Sequence, residues 1–297
     1  MTDHKGSKWA KRILELQQPD GMWGQFHSLS RGAVMTTEQA LRRLQILGYT
    51  VEDACIRRAV EAMEDCLLGR RVLPDRREKT HNWDIFTDMM LACWIRRFTP
   101  ACPAANRVAG KWAQVVTAAV QSGAYVHADY CAAYRAVFGE KPRGGRLEDF
   151  VNFYPVSLVA ESLTPEAEAR VFDHILHHAP GIYYIYDDLI LHPPEPFESR
   201  KASRYLGAVE LLALYRGQRA KLGFAVDWLY ANRNERGWDM GAAVNDGVYF
   251  PLSDDWRRKG AREADCTERV FRLLRALGDD GKKQTTDCAC QKTDLGE

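Results

Sequence analysis

Residues 13–24, ILELQQPDGMWG, are the most informative segment of the sequence, because the chain repeats them near its other end. The segment aligns without a gap on residues 228–239, WLYANRNERGWD, and the alignment superposes a tryptophan of each copy. The segment that follows repeats as well. Residues 37–48, TEQALRRLQILG, align on residues 267–278, TERVFRLLRALG, with Thr, Glu, Arg, two Leu and Gly in register. Such self-similarity is typical of a protein built from repeated units.

The distance between the two copies predicts the number of units. The copies lie 215 residues apart in the first half of the repeat and 230 in the second. A fifth of these distances is about 43 to 46 residues, the length of a helical hairpin with its connections. We therefore predict an all-α fold, an (α/α)6 toroid of about six helical hairpins, in which the last unit packs against the first and neither end needs a polar cap. This single domain is expected to cover residues 1–280, and the polar tail 281–297 is expected to be disordered.

Apolar residues recur at helical spacing along most of the chain. Residues 82–98 are apolar on all sides, which is typical of a buried helix, whereas residues 37–48 carry one apolar stripe. Thr164 followed by Pro165 marks a helix start. Residues 181–191 are rich in aromatic and β-branched residues. We predict a connector or a buried helix there, and a strand is the alternative.

Composition limits the classes of partner. The chain is 46% hydrophobic and 27% charged, as expected for a globular protein. Its 41 basic and 40 acidic residues give no bulk preference for nucleic acid or an anionic membrane. No apolar run is long enough to span a membrane, and the start lacks the apolar core of a signal peptide. The eight cysteines lie mostly in helix-like segments as small apolar residues, which predicts a reducing cytoplasm. Cys288-x-Cys290 lacks the second pair of a metal site.

Residues 16–24, LQQPDGMWG, resemble the glutamine-tryptophan type repeat of squalene cyclases and of the β subunits of protein prenyltransferases. The shared features are a helix end, an Asp-Gly turn and a tryptophan. Residues 232–238 are a looser second instance, and residues 267–277 are similar to the helix that follows such a turn. The resemblance implies an (α/α)6 toroid whose inner helices line a central cavity, and a small-molecule ligand in that cavity.

The catalytic motifs of that superfamily are missing from the sequence. Squalene cyclases use an Asp-x-Asp-Asp acid, but no acidic residue stands two positions before the Asp-Asp pairs at 187–188, 254–255 and 279–280. The metal-diphosphate pattern Asp-Asp-x-x-Asp fails at the same pairs. The zinc pattern Asp-x-Cys fails as well, since Asp265 and Cys266 are adjacent. No metal is therefore predicted, and the sequence leaves any cofactor unknown.

Two pairs of aspartates are candidates for catalysis, because carboxylates in apolar surroundings must be paired, neutral or open to a cavity. Asp84 and Asp88 lie four residues apart on the apolar segment 82–98. A simple partnership with the helix dipole is the structural alternative. Asp187 and Asp188 follow several tyrosines, and two carboxylates in different environments can divide acid and base roles. A solvated turn is the alternative there.

The remaining candidates lie near the repeated tryptophans or in long loops. Asp239 is a catalytic candidate in the long segment 237–255, which falls at the expected rim of the cavity. Five residues are candidates for substrate binding: Trp23, His27, His81, Trp238 and Tyr249. For the two tryptophans a structural role is the alternative, in which the ring stacks between hairpins and its N–H bonds a helix-end carbonyl.

Two classes of function remain open. In the first, the protein is an enzyme that uses carboxylate acid–base chemistry on a small hydrophobic, isoprenoid-like substrate in its central cavity. A carbohydrate-active (α/α)6 enzyme would suit aromatic walls and acids equally well. In the second, the ring is a non-catalytic binding or protein-interaction module. Convergence of the candidate carboxylates on one cavity would favour an enzyme, since acid–base partners must reach a shared substrate.

Overall fold

The computed structural model describes residues 4–29 and 32–279, and these residues form an all-helical protein. They contain eleven α-helices, two short 3₁₀-helices at Arg216–Leu222 and Ala242–Val244, and isolated β-bridges only. The α-helices are α1 (Lys8–Glu15), α2 (Thr37–Ile46), α3 (Ala54–Leu67), α4 (Trp83–Phe98), α5 (Pro103–Ala119), α6 (His127–Phe138), α7 (Phe153–Val159), α8 (Pro165–Leu176), α9 (Arg200–Leu212), α10 (Gly223–Ala231) and α11 (Lys259–Ala276). No helix within the described ranges is both long and apolar enough to cross a membrane. The predicted tail, with Cys288 and Cys290, lies outside the described residues.

Helix α4 is the buried helix that its sequence predicts. Ten of its sixteen residues are buried, among them the fully buried Trp94, and it packs against α3, α5 and α7. The predicted start of α8 is also confirmed. Thr164 caps the helix by accepting a hydrogen bond from the Ala167 N–H, and Pro165 is the first helical residue. Residues 181–191 form an irregular connector with isolated bridges, as predicted, and no helix.

The repeat seen in the sequence has a counterpart in the structure. In the first copy the backbone N–H of Trp23 donates to Thr37 Oγ1 at 2.9 Å, and in the second the backbone N–H of Trp238 donates to Thr267 Oγ1 at 2.9 Å. The indole N–H of each tryptophan donates to a carbonyl in the last turn of the preceding helix, at 2.7 Å for α1 and 2.6 Å for α10. Both tryptophans are buried. Each therefore joins the end of one helix to the next helix, at the first residue of α2 in the first copy and in the middle of α11 in the second.

Glycine is required where each turn passes closest to a neighbouring helix. Gly21 has a φ of 88°, and a Cβ added there would lie 2.7 Å from the Arg58 carbonyl oxygen. Gly237 has a φ of 119°, and a Cβ would lie 2.1 Å from Thr267 Oγ1. Both the conformation and the space exclude a larger residue at these two positions.

The first and last described segments of the chain are adjacent in space. His4 Nε2 lies 3.0 Å from a Glu268 carboxylate oxygen on α11, and the Trp9 indole donates to the Ser253 carbonyl at 3.0 Å. Helix α2 contributes Arg43, whose guanidinium donates to the Val248 carbonyl at 3.0 Å. The first helices therefore contact the segment that leads into the last one.

Replacing Thr37 by Val tests the contribution of the Trp23 contact to stability. The change keeps the shape of the side chain but leaves the buried backbone N–H of Trp23 without its acceptor. We expect the free energy of unfolding to fall by about 1–3 kcal/mol, measured by urea denaturation. Thr117→Val is the control, because the Thr117 side chain on α5 makes no hydrogen bond within the described residues. Equal stability of the two variants would contradict a structural role for the Trp23–Thr37 bond.

Candidate functional site

The buried carboxylate of Glu38, in the first turn of α2, contacts four polar side chains. Arg42 Nη2 donates to it at 3.0 Å, the Trp94 indole at 3.2 Å and the Tyr154 hydroxyl at 2.8 Å. His27 Nδ1 lies 2.9 Å from the oxygen that Tyr154 also contacts. We call these five residues the Glu38 network. It draws on α2, α4, α7 and the loop before α2, so several parts of the fold hold the carboxylate in place.

The Glu38 carboxylate stays ionised to low pH. Burial alone raises the pKa of a carboxyl group, but the hydrogen bond from His27 and the charge of Arg42 outweigh it and lower the pKa of Glu38 from 4.5 to about 2. At neutral pH the network therefore contains a negative charge that is shielded from water and fixed in direction. Such a charge favours a proton on the histidine nitrogen that faces it.

His27 is held from its backbone as well as from its ring. The Asp75 carboxylate accepts the backbone N–H groups of Phe26, His27 and Ser28, the last two at 2.9 and 3.0 Å. With Nδ1 directed to Glu38, the second ring nitrogen, Nε2, has no hydrogen-bond partner in the described part of the chain. A histidine oriented by a carboxylate through one nitrogen and unpartnered at the other has the arrangement of a general base.

Next to this network lies a cavity of about 430 Å³, which we call the tyrosine cavity. Arg42 lines it and is at the same time bonded to Glu38, so the network lies directly behind the cavity wall. The cavity is lined by Arg42, Pro180, Tyr183, Tyr184, Ile185, Tyr186, Asp187, Arg204, Asp246, Val248 and Tyr249. Its volume is that of a typical small-molecule site.

Some charged side chains of the tyrosine cavity are bonded to other residues, and others are not. Asp187 and Arg204 are exposed and form no hydrogen bond or ion pair within residues 4–29 and 32–279. Asp246, in contrast, accepts three backbone N–H bonds from residues 248–250 and shapes the loop. Asp187 and Arg204 are therefore the charged groups of the cavity that are available to a ligand.

Tyr184 lies between the cavity and His27 of the Glu38 network. Its ring lies edge-on to His27 at 5.7 Å and to Tyr154 at 5.5 Å between centroids, and it also lines the cavity. Its backbone has a φ of 73°, which is unusual for a bulky residue. The buried hydroxyl of Tyr184 has no hydrogen-bond partner in the described structure. Strain of this kind combined with an unpaired polar group is concentrated at functional sites.

Tyr249, which also lines the tyrosine cavity, is held in place by an arginine and by a glycine. The Arg269 guanidinium lies 4.0 Å from the centroid of the Tyr249 ring and is itself bonded to Glu210 at 2.8 Å. Gly207 on α9 leaves room for the tyrosine, since a Cβ there would lie 2.3 Å from the Tyr249 hydroxyl oxygen. The side chain of Tyr249 is thus fixed on two sides.

A larger groove, of about 810 Å³, runs along α11. Its two carboxylates are already engaged. Glu268 pairs with His4 at 3.0 Å and with Arg272 one turn later, and Asp265 accepts the backbone N–H groups of Leu252 and Ser253. Nothing in this groove corresponds to the unpartnered His27 nitrogen or to the strained Tyr184. The tyrosine cavity is therefore the stronger candidate despite its smaller volume.

Three of the ten site residues predicted from the sequence lie at this site. His27 belongs to the Glu38 network, and Asp187 and Tyr249 line the tyrosine cavity. Trp23 and Trp238 are buried and bonded between helices, which is the structural alternative stated for them.

The other predicted residues lie elsewhere. Asp84 is exposed on the surface and pairs with Arg77 at 2.8 Å. It lines a separate cavity of about 210 Å³ together with the buried His81. Asp88 is exposed one turn further along α4. The acids of α4 therefore face a different region from Asp187.

Asp188 and Asp239 are each engaged by a cation. Asp188 pairs with Lys201 at 2.6 Å near the surface. Asp239 is half-buried and accepts two hydrogen bonds from Arg262, both at 2.7 Å, while it also caps the turn at Gly241. A bidentate pair of this kind fixes a loop and leaves little of the carboxylate for a substrate.

Sequence reasoning missed the centre of the network. Glu38 and Arg42 look like an ordinary first-turn acid with a partner one turn later. One signal was present, because the Thr-Glu-x-x-x-Arg pattern of residues 37–42 recurs at residues 267–272. Nothing in the sequence indicates that Tyr154, distant along the chain, completes the network, or that Asp75 in a basic loop holds His27.

Comparison of the chain with protein-family models, with curated proteins and with solved structures found no match. Within the described residues no group of three or more His, Cys, Asp or Glu side chains is placed to hold a metal ion. The chemistry of the site is therefore argued from its own side chains.

The acidity of Glu38 predicts a dependence of stability on pH. Because its pKa in the folded protein, about 2, is below its ordinary value of 4.5, the carboxylate stabilises the fold above pH 4.5. That contribution is lost as the pH falls through this interval. We expect Glu38→Gln to lower the free energy of unfolding by about 3 kcal/mol at neutral pH and to flatten its pH dependence between these two values.

Urea denaturation at several pH values checks this expectation. Glu235→Gln is the matched control, since Glu235 is exposed and forms no bond in the described structure. The control is expected to follow the parent protein at every pH. Parallel pH curves for Glu38→Gln and the parent would contradict the role assigned to the buried carboxylate.

Proposed function

We propose that the chain is an (α/α)6 toroid of the kind found in squalene cyclases and protein prenyltransferase β subunits. Three observations support this arrangement: the helical composition, the two copies of one helix-turn-helix unit, and the contact between the first and last parts of the chain. Adjacent ends are what a closed ring of hairpins requires. In this proposal the tyrosine cavity lies at the centre of the ring.

We further propose that the protein is an enzyme that transfers a proton to or from a small hydroxylated substrate bound in the tyrosine cavity. The observation that carries this proposal is the position of Arg42, which lines the cavity while it is bonded to the buried Glu38. An ordinary structural ion pair has no need of a histidine with one free nitrogen or of a strained tyrosine beside it. The three features together are those of an acid–base site.

Each residue of the site has a distinct part in this proposal. His27 Nε2 accepts a proton from a water molecule whose oxygen bonds to the anomeric carbon of the substrate, while the bond from that carbon to the leaving-group oxygen breaks. Glu38 stabilises the imidazolium that results, and the imidazolium then returns the proton to the leaving group. Tyr184 stands between His27 and the cavity, so a change in its side-chain conformation controls access of the substrate to the base. Asp187 and Arg204 bind substrate hydroxyl groups from the mouth of the cavity.

The character of the lining indicates the class of substrate. Four tyrosines supply flat apolar faces, while the charged residues of the cavity are balanced in sign. Rings and hydroxyl-binding groups in one small cavity suit a sugar-like molecule better than a long hydrocarbon, which would leave these charges without partners. The isoprenoid substrate implied by the resemblance and the non-catalytic binding module are therefore alternative outcomes of the test.

A ligand panel tests the proposal directly. The probes are 4-nitrophenyl glycosides, geraniol and geranyl diphosphate, with binding followed by thermal shift and turnover by release of nitrophenol. We expect binding and turnover with at least one glycoside. Arg204→Gln or Asp187→Asn is expected to weaken that binding about tenfold. His27→Gln is expected to leave binding intact and to lower kcat by about 10²–10⁴-fold.

His192→Gln is the matched control, because His192 is an exposed histidine in a proline-rich loop. Binding of geranyl diphosphate alone would favour the isoprenoid reading over the sugar-like one. Binding of a glycoside without turnover, and unchanged by His27→Gln, would identify a binding module. Full turnover in His27→Gln would overturn the role of the histidine.

A further inference from the structure

A second cleft, of about 260 Å³, opens at the C-terminal end of α4. It is bordered by α2, α4, the end of α7 and the residues after α9. Its polar lining consists of Gln45, Arg96, Arg97, Ser157, Glu161 and Arg216. We call it the arginine cleft. Three cations face one carboxylate there, so the cleft carries a net positive charge.

Neither of the two arginines of α4 is matched by a carboxylate. Arg97 donates to Gln45 Oε1 at 2.7 Å and to Ser157 Oγ at 3.2 Å, both neutral groups. Arg96 donates to Asn106 Oδ1 at 2.5 Å and to the Ala160 carbonyl at 3.4 Å. The only ion pair of the cleft within the described residues joins the exposed Arg216 to Glu161 at 2.9 Å.

Both of these arginines are partly removed from water. Burial lowers the pKa of Arg96 and of Arg97, which means that the protein surroundings disfavour their charge. Helix C-termini attract cations, and this accounts for two arginines in the last turn of α4. It does not account for their convergence on a cavity, where a desolvated cation without a counter-ion is costly.

Hydrogen-bond donors remain available in the cleft. A guanidinium has five N–H donors. Gln45 Oε1 accepts two of those of Arg97 and Ser157 accepts one, which leaves two. Two of the donors of Arg96 are bonded, which leaves three. Planar groups with free N–H donors bind the oxygens of a phosphate in pairs.

Glu161 would compete with such an anion for the arginines of the cleft. It follows α7 with a φ of 64°, unusual for a residue other than glycine, and its carboxylate pairs with Arg216. About half of its side chain is exposed. A ligand carrying two or more negative oxygens would replace this single carboxylate and would also reach the unmatched arginines behind it.

We propose that the arginine cleft binds the phosphate or diphosphate group of a small molecule, with Arg96, Arg97 and Arg216 as its ligands and Glu161 as the group it displaces. The volume of the cleft, about 260 Å³, admits a phosphate-sized group. The site is separate from the tyrosine cavity and does not depend on the function proposed for it.

Titration with inorganic pyrophosphate tests the proposal, with isothermal calorimetry on the full chain at fixed ionic strength. We expect saturable binding, weakened about tenfold or more by Arg96→Gln, since a hydrogen-bonded charge is removed. Glu161→Gln is expected to strengthen binding about threefold, because the exposed competing ion pair is lost. A gain in affinity cannot result from damage to the fold, so this variant keeps the test decisive.

Two controls separate the arginine cleft from other cationic sites. Arg204→Gln alters the tyrosine cavity, and Arg57→Gln removes an exposed arginine of α3. Neither is expected to change the affinity for pyrophosphate. Loss of binding in Arg204→Gln with no effect of Arg96→Gln would place the anion in the tyrosine cavity and overturn the proposal. Absence of binding, or equal affinity of the parent and Glu161→Gln, would overturn it as well.

Discussion

One tryptophan at each end of the chain fixes how the helices follow one another. Its backbone N–H donates to a threonine of the next helix, at the start of α2 in the first copy and in the middle of α11 in the second, and its indole N–H donates to a carbonyl in the last turn of the previous helix. The turn between helices therefore has one geometry in both copies. The glutamate that follows each threonine therefore has an equivalent position relative to the tryptophan, so the two copies can be compared residue by residue.

That comparison shows what is particular to Glu38. Glu268 occupies the same position in the second copy, and it too has an arginine one turn later and a histidine partner, His4. The glutamate–arginine pair is therefore part of the repeat and is compatible with a structural origin, whereas the two histidines come from unrelated places in the chain. Only the first copy adds Tyr154 and Trp94, and its arginine lines the tyrosine cavity, whereas Glu268 and His4 line the groove along α11. The proposed chemistry rests on these additions.

The sequence predicts the helical class and much of the helix order, because both follow from local periodicity and from the repeat. It predicts the candidate site less well. The apolar surroundings of Asp84 in the sequence favour a functional role, yet in the structure Asp84 pairs with Arg77 on the surface. Arg77 lies in a loop, and the position of a loop residue cannot be derived from helical spacing. Glu38 was overlooked for the opposite reason. Its local pattern is that of an exposed first-turn acid, and its burial depends on α4 and α7, which are remote in sequence.

One arginine from each proposed site lies over the same two aromatic rings. The Arg42 guanidinium lies 4.3 Å from the Phe153 ring centroid, and the Arg97 guanidinium lies 5.4 Å from the same centroid. Both also lie over Trp94, and the charge of Arg42 contributes to the lowered pKa of Arg97, after burial and despite the opposing effect of Cys93. An anion bound at Arg97 would relieve this repulsion. Because coupling between sites is reciprocal, a ligand that engages Arg42 in the tyrosine cavity would in turn alter the affinity of the arginine cleft, with no need for a movement of the helices between them.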